Sequence, residues 1–214
     1  IVGDFASYNT VPRNRVARVN PDGSLDATFN PGEGANDFVS CVSRDSAGRY
    51  LIGGAFSFYN GVQRNGIARL NSGGTLDTTF APGTGANGTV WAIAIQEDGK
   101  ILVGGDFTSF NGHSRRNIVR LNEDGSVDDT FDPGDSSPNG PVNAILAIPS
   151  GPIVIGGEFS GLGAVNVPNF AALTTGGQPD TAFNFKLGLS VDGPVYALAL
   201  HQGGIVLGGE FTSI

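Results

Sequence analysis

Three polar loops of the chain each carry an asparagine and, four residues later, an arginine. Amide and guanidinium groups hydrogen-bond sugar hydroxyls and carboxylates, so these side chains are candidates for a site that binds a glycan or an acidic ligand. A structural alternative stays open. Asparagine tolerates the positive φ of a tight turn, and each arginine has a nearby acid, such as Asp4 or Asp106, as a possible ion-pair partner. The candidate ligand-binding residues are Asn9, Arg13, Asn60, Arg64, Asn111 and Arg115.

A second motif, Asn-x-Asp-Gly-x-x-Asp, supplies oxygen ligands at a spacing compatible with calcium. It lacks the bidentate glutamate and the loop length of an EF-hand, and Gly73 and Gly176 replace its middle acid in two units. The alternative is a hairpin turn in which the second acid accepts hydrogen bonds from nearby backbone amides. The calcium candidates are Asp22, Asp26, Asp124 and Asp128, and no other cofactor is predicted.

Residues suited to nucleophilic or acid–base catalysis are scarce. The two histidines, His113 and His201, fall in a loop and in a turn that we expect on opposite faces. Cys41 and the single tryptophan, Trp91, fall in apolar runs, and we expect both to pack in the core. We therefore predict a protein that is not an enzyme. Because glycosidases need only two carboxylates, a carbohydrate-active enzyme remains an alternative.

Charge and composition narrow the class of partner. The 214 residues have a net charge of −8, whereas phosphate binding needs a basic face, so we predict no nucleic-acid partner. One cysteine cannot form an internal disulfide. No apolar run approaches the roughly 18 residues of a membrane span, so we predict none. The 34 glycines are more than twice the average share, which indicates a turn-rich chain.

The chain repeats itself every 51 or 52 residues. The sequence ILVGGDF at Ile101–Phe107 recurs in related forms that end at Phe5, Phe56, Phe159 and Phe211. Counted from that phenylalanine, an aspartate recurs at position +21 and a second phenylalanine at +24. An arginine at +13 recurs in three units and is Ala172 in the fourth. Such recurrence within one chain indicates a repeat architecture.

One unit, from Val90 to Pro141, has the pattern of four short strands separated by turns, with no helical period. Its predicted strands are Val90–Ile95, Ile101–Phe107, Asn117–Asn122 and Val127–Phe131. Four strands in such a unit are typical of a β-propeller. We therefore predict an all-β propeller of four-stranded antiparallel blades. The Gly-Gly pair in each second strand implies a close neighbour, which we expect to be the second phenylalanine of an adjacent blade.

These motifs resemble the delta-60 repeats. Asp98–Phe107 and Gly66–Phe80 (GIARLNSGGTLDTTF) carry the resemblance most closely, and it extends over the whole chain. The fourth unit departs from the pattern, because Gly161–Asn169 lacks the Asn-Gly pair and the arginine. The resemblance implies a β-propeller in a large secreted or cell-surface protein of bacteria, and it implies no particular reaction.

We predict one propeller-type domain over residues 1–214. Because Ile1–Tyr8 aligns with Leu207–Ile214, one strand of the repeat occurs twice, and we expect the units to belong to a larger ring or array. A closed ring of four blades and an open solenoid are the alternatives. The repeat units cover approximately residues 1–38, 39–89, 90–141, 142–194 and the partial unit 195–214.

The predicted function is that of an extracellular scaffold or interaction module. Its longer loops lie on one face, and we expect that face to bind a protein or glycan partner. Two further classes remain open: the carbohydrate-active enzyme, and a subunit of a surface polymer that self-associates through exposed sheet edges.

Overall fold

The computed structural model describes residues 1–187 and 191–214 and consists mainly of antiparallel strands. The strands are β1 (Ser7–Tyr8), β2 (Val11–Pro12), β3 (Val39–Arg44), β4 (Tyr50–Gly54), β5 (Phe58–Tyr59), β6 (Val62–Gln63), β7 (Ile67–Leu70), β8 (Thr89–Ile95), β9 (Ile101–Asp106), β10 (Ser109–Phe110), β11 (His113–Ser114), β12 (Ile118–Leu121), β13 (Val142–Ala147), β14 (Ile153–Gly157), β15 (Gly161–Leu162), β16 (Val165–Asn166), β17 (Phe170–Leu173), β18 (Val195–His201) and β19 (Gly204–Gly209).

The longer strands form four successive sheets, which we call blades 1 to 4. Blade 1 has the order β3-β4-β7, blade 2 β8-β9-β12, and blade 3 β13-β14-β17, while blade 4 pairs β18 with β19. We call β3, β8, β13 and β18 the inner strands, and they pack against one another in chain order. A two-residue hairpin (β1-β2, β5-β6, β10-β11 or β15-β16) projects between the second and third strand of each repeat. The all-β propeller predicted from the sequence is therefore confirmed.

The fourth strand of each unit is shorter than the sequence predicts. It is reduced to a single bridge, Leu70 to Leu76 in blade 1 and Leu121 to Val127 in blade 2. The aspartate one residue further on explains the early end, because Asp77 Oδ1 accepts the N–H of Thr79 at 2.9 Å. A side-chain acceptor of this kind replaces a ladder partner and turns the chain.

A short helix in the fourth unit departs from the pattern of strands and turns that the sequence predicts. The helix α1 (Thr181–Leu187) begins where Asp180 Oδ1 accepts the N–H of Phe183 at 3.0 Å. Its Asn184 is buried and exchanges two hydrogen bonds with the backbone of Ala172. Ala172 stands where the other units have arginine, so the fourth unit has a helix beside this strand instead of an arginine side chain. A 3₁₀ turn at Gly134–Ser136 is the other helical segment of the described residues. Within those residues, no helix is long and apolar enough to cross a lipid bilayer.

The apolar core lies in layers between successive blades. Along β9, Ile101 and Val103 face blade 1, whereas Leu102 faces blade 3, and all three side chains are buried. Alternate residues of one strand therefore enter two different layers. Burial on both faces explains why the second strands β4, β9 and β14 are largely apolar rather than alternating.

In blades 1 to 3, the first glycine of the Gly-Gly pair makes room for a valine of the next blade. A Cβ on Gly53 would lie 2.6 Å from Val90 Cγ1, and one on Gly104 would lie 2.7 Å from Val142 Cγ1. Real Cβ atoms do not approach this closely, so glycine is required at these positions. The prediction that the second phenylalanine of an adjacent blade lies against the Gly-Gly pair is therefore wrong. Phe80 instead packs on Gly125, in a turn of blade 2.

A buried arginine joins the outer edges of blades 1 and 2. Arg69 Nε lies 2.8 Å from Asp77 Oδ2, and its Nη2 donates to Thr79 Oγ1 at 3.2 Å. Its Nη1 donates to the carbonyl of Glu123 in blade 2 at 2.5 Å. The guanidinium also lies 4.9 Å from the centre of the Phe80 ring. We call this arrangement the arginine clamp. It recurs at Arg18 and Arg120.

We predict that Gly104→Ala destabilises the protein by about 1–3 kcal/mol, because the new methyl group displaces Val142 and overpacks the layer. Gly208→Ala is the matched control, since the nearest atom to its Cβ lies 3.6 Å away. That control is expected to change the free energy of unfolding by less than about 1 kcal/mol. Urea unfolding of both variants measures the difference, and equal stability of Gly104→Ala and wild type would contradict the packing argument.

We predict that Arg69→Ala lowers the free energy of unfolding by about 3–5 kcal/mol, because the buried carboxylate of Asp77 loses its hydrogen-bonded cation and keeps only Arg49, at 4.0 Å. The equivalent Arg18→Ala is expected to cost about 1–2 kcal/mol, since its side chain is 31% exposed against 4% for Arg69. Denaturant melts of the two variants test this order. Equal losses would show that burial of the pair does not decide its contribution.

Candidate ligand-binding site

Each inner strand contains a β-bulge at the end nearest the hairpins. The pairing of the inner strand with the second strand skips one residue in all four blades. A bulge leaves one residue outside the ladder and redirects its side chain. The skipped residues are Ser40, Trp91, Asn143 and Tyr196. The residue before each of them is a valine in every blade, so the framework repeats while the bulged side chain varies.

The four bulged side chains line one cavity of about 530 Å³, which we call the inner-strand pocket. Asp106, Pro141 and Glu158 complete its lining. Asp106 is the last residue of β9, and Glu158 follows β14 directly. Since the second strands end there, the pocket lies on the face that carries the hairpins. The sequence predicted that face as the functional one, but the pocket itself is formed by the inner strands.

Trp91 corrects an expectation from the sequence. Its side chain is 36% exposed instead of buried in the core, and it stacks on Phe38 with ring centroids 5.6 Å apart. Tyr196, at the equivalent bulge of blade 4, is 45% exposed. The sequence does contain a signal for this position. Its residue type changes from unit to unit, whereas the preceding valine recurs in all four blades.

Two hydrogen bonds engage polar side chains of the pocket. Ser40 Oγ donates to the carbonyl of Val90 at 2.6 Å, and Asn143 Nδ2 donates to Glu158 Oε1 at 3.1 Å. The hydroxyl proton of Ser40 and one of the two amide protons of Asn143 are thus engaged by the protein. The carboxylate oxygens of Asp106 and Glu158 retain lone pairs.

Carboxylates also surround the phenol of Tyr196. Desolvation, followed by the negative charges of Glu210 and Glu158, raises the pKa of Tyr196 above its ordinary value. The phenol therefore stays protonated at neutral pH. The pocket accordingly combines two exposed aromatic rings with several negative charges.

The three predicted asparagines lie at the tips of the hairpins and do not line the inner-strand pocket. Asn9, Asn60 and Asn111 have φ values of 49°, 49° and 46°. These positive values agree with the alternative interpretation that asparagine serves the geometry of a tight turn. Asn60 Oδ1 accepts the N–H of Gly34 at 2.9 Å, and Asn111 Oδ1 accepts that of Thr84 at 3.0 Å. Ligand binding by these side chains stays a prediction.

The three predicted arginines also lie outside the inner-strand pocket. Arg13 Nη1 donates to the Pro12 carbonyl and Arg64 Nη1 to that of Gln63, both at 2.8 Å.

Arg115 is buried, and it lies 3.3 Å from both Asp129 and Asp132. The expected pairing of these arginines with Asp4 or Asp106 was therefore wrong, since Arg15 is the residue near Asp4, at 3.8 Å. A role of Arg13, Arg64 and Arg115 in ligand binding remains a prediction.

The four calcium candidates accept hydrogen bonds from the protein itself. Asp22 Oδ1 accepts from the amide and hydroxyl of Ser24, and Asp124 Oδ1 accepts the same pair from Ser126. Across residues 1–187 and 191–214, no group of three metal-ligating side chains has the geometry of a metal site. Calcium binding at Asp22, Asp26, Asp124 and Asp128 therefore stays untested.

The same hydrogen bonds stabilise the charged forms of the carboxylates. The hydroxyl and amide of Thr28, followed by Arg18, lower the pKa of Asp26 to about 2. Burial by itself would raise the pKa of Asp128. Hydrogen bonds from Lys100, Thr130 and Arg120 outweigh burial and hold that pKa well below its usual range.

The residues considered for catalysis are dispersed. His113 Nδ1 lies 3.5 Å from Asp129 at a hairpin, and His201 ends β18 at the opposite face. Burial raises the pKa of the Cys41 thiol to about 11, which disfavours the nucleophilic thiolate. The pocket does bring together Asp106 and Glu158 from two blades, an arrangement that the enzyme alternative requires.

Four consecutive blades, packed through their inner strands around a pocket, define a repeat protein of the β-propeller class. A family model described as "Domain of unknown function (DUF5122) beta-propeller" matches residues 1–29, 48–80, 96–131 and 148–183. These ranges include more than half of the chain, so the chain belongs to the DUF5122 beta-propeller family. The narrower assignment to the delta-60 repeats agrees with this class and stays a prediction.

Comparison with solved structures supports the same fold. The WD40 beta propeller domain of Doa1 is similar to this chain with a TM-score of 0.59 and 18% sequence identity. The match covers 88% of this chain and 52% of that chain, so the chain spans about half the length of this relative. At this identity the likeness shows the fold alone. A search of curated protein sequences found no match.

We predict that the protein loses stability as the pH falls from about 5 to about 2. A carboxyl whose pKa is lower in the folded than in the unfolded state stabilises the fold above the unfolded pKa, and this contribution disappears as the group protonates. Asp26, with a pKa of about 2, and Asp128 contribute in this direction. Urea midpoints from pH 7 to pH 2 measure the effect.

Asp26→Asn is the matched variant for this measurement. It is expected to be less stable than wild type at pH 7 and to approach wild type near pH 2, where Asp26 itself becomes protonated. A flat wild-type profile between pH 5 and pH 2 would contradict the assignment.

Proposed function

We propose that this chain is a non-enzymatic interaction module that binds a protein partner through the inner-strand pocket. The observation that carries the proposal is the contrast between a repeated framework and four different bulged side chains. Ser40, Trp91, Asn143 and Tyr196 occupy equivalent backbone positions. A repeat whose framework recurs while its cavity-facing residues diverge is suited to recognition.

Exposed aromatic residues favour a binding role over catalysis. Tryptophan and tyrosine offer large contact areas at a low cost in side-chain entropy, and they are enriched at the centres of protein interfaces. Trp91 and Tyr196 are the two pocket residues with large exposed rings. The likeness to a WD40 propeller agrees with a protein partner, by analogy of fold only.

The extracellular location proposed for this module has a separate basis. It is supported by the resemblance to repeats of bacterial secreted and surface proteins. The negative charge of the chain is also compatible with that location.

Selection from a random peptide library displayed on phage tests the binding role. We expect the immobilised chain to enrich peptides that bind wild type at least about tenfold more tightly than Trp91→Ala, because truncation of a central aromatic anchor typically costs 2 kcal/mol or more. Phe58→Ala is the matched control. It removes a ring that is 44% exposed on the β5-β6 hairpin, outside the pocket.

Two results would contradict the proposal. One is the failure to enrich any peptide that distinguishes Trp91→Ala from wild type. The other is an equal loss of binding in Phe58→Ala, which would indicate general adhesion to exposed rings.

A further inference from the structure

We infer that the inner-strand pocket binds an arginine side chain presented by the partner protein. This inference rests on the proposed function and adds the chemistry of the group that is recognised. Its basis is the match between the polar atoms, charges and rings of the pocket and those of a guanidinium group.

The first argument concerns hydrogen-bonding capacity. The hydroxyl of Ser40 and the amide nitrogen of Asn143 already donate to protein acceptors. The carboxylates of Asp106 and Glu158 are the charged groups of the lining, and their lone pairs are available to a ligand. A ligand that satisfies them must donate. A guanidinium carries five N–H donors and no acceptor, whereas a sugar hydroxyl both donates and accepts.

The second argument concerns charge. Asp106 and Glu158 line the pocket, and Glu210 is near enough to Tyr196 to raise the pKa of its phenol. No lysine or arginine is present among the described residues that line the cavity. The ion pairs found in the described part of the chain leave Asp106 and Glu158 without a cationic partner. A cationic ligand therefore supplies the charge that the pocket lacks.

The third argument concerns the aromatic rings. Phe38 stacks on Trp91 with an interplanar angle of 24° and ring centroids 5.6 Å apart, so it supports the indole from one side. Trp91 remains 36% exposed and lines the pocket. A planar guanidinium stacks on an aromatic face and is attracted by its quadrupole. The lysine ammonium lacks the planar fork, so arginine fits carboxylates beside a flat ring better.

The only tryptophan of the chain reports on this pocket directly. Its fluorescence, excited at 295 nm, is followed while N-acetyl-arginine methylamide is added to the 214-residue chain. We expect a saturable change in emission that weakens as salt is added, because ionic strength screens the attraction. The neutral isostere N-acetyl-citrulline methylamide is expected to bind at least about tenfold more weakly.

Three variants with the same change of charge locate the effect. Asp106→Asn and Glu158→Gln are each expected to weaken binding of the arginine compound about tenfold. Glu97→Gln removes one charge from an exposed turn outside the pocket and is expected to bind like wild type. Thermal melts of all three show whether each variant is folded, and the two pocket variants provide independent tests of the same site.

Several outcomes would overturn the inference. Citrulline or chitobiose binding as tightly as the arginine compound would show that positive charge is not recognised, and chitobiose would identify a glycan site instead. An equal loss in Glu97→Gln would reduce the effect to the net charge of the protein. The absence of any saturable change would also overturn it.

The peptide selection separates this inference from the proposed function. Peptides that depend on Trp91 and contain arginine support both. Peptides that depend on Trp91 but lack basic residues support the proposed function and overturn the arginine inference. Saturable binding of the arginine compound without any selected peptide would support the pocket chemistry and contradict the protein partner.

Discussion

The packing of one valine from each inner strand against a glycine of the preceding blade is the constraint on which the rest of the structure depends. Gly53, Gly104 and Gly156 each leave a gap the size of a methyl group, and a valine of the next blade fills it. The second glycine of each pair lies against a backbone carbonyl at the start of the inner strand of its own blade. In blade 1, Gly54 lies against the carbonyl of Phe38, the residue before Val39. Both approaches require the inner strand to lie close to its neighbours. The bulge follows directly after that valine, so the same close packing sets the position of the side chain that enters the pocket.

The outer edges of the blades are joined by a different interaction. There, Arg69 and its equivalents combine an ion pair, hydrogen bonds to the next blade and contact with an aromatic ring. Apolar packing joins the inner strands, with hydrogen bonds from Ser40 and Ser43 to the inner strand of blade 2, while charge-assisted hydrogen bonds join the periphery. In the fourth unit Ala172 replaces the arginine, and Asn184 of α1 supplies hydrogen bonds to the same stretch of backbone. The bulged residue takes part neither in the valine–glycine packing nor in the arginine clamp. The scaffold therefore tolerates variation at that position.

Much of this architecture could be predicted from the sequence because its determinants are local and recur. The repeat length, the strands and the turns follow from spacing, from apolar runs and from Asp-Gly and Asn-Gly pairs. The inner-strand pocket was not among the sites predicted from the sequence. The hairpin residues Asn60 and Arg64 looked functional because they are polar and recurrent, although recurrence in this chain marks positions that solve a packing problem. Trp91 looked structural because it lies in an apolar strand, and the bulge that exposes it is signalled only by comparing the equivalent position in all four units.

The sequence by itself determined the all-β repeat, the acidic character and the turn chemistry, because each of these depends on composition or on residues close together in the chain. Only the tertiary structure decided which neighbour fills the glycine gaps and where each arginine finds its partners. Those contacts join residues of different blades, such as Gly53 with Val90 and Arg69 with Glu123. The tertiary structure also decided that Trp91, Asp106, Glu158 and Tyr196 share one pocket. Their approach depends on the packing of successive blades, which no single repeat contains.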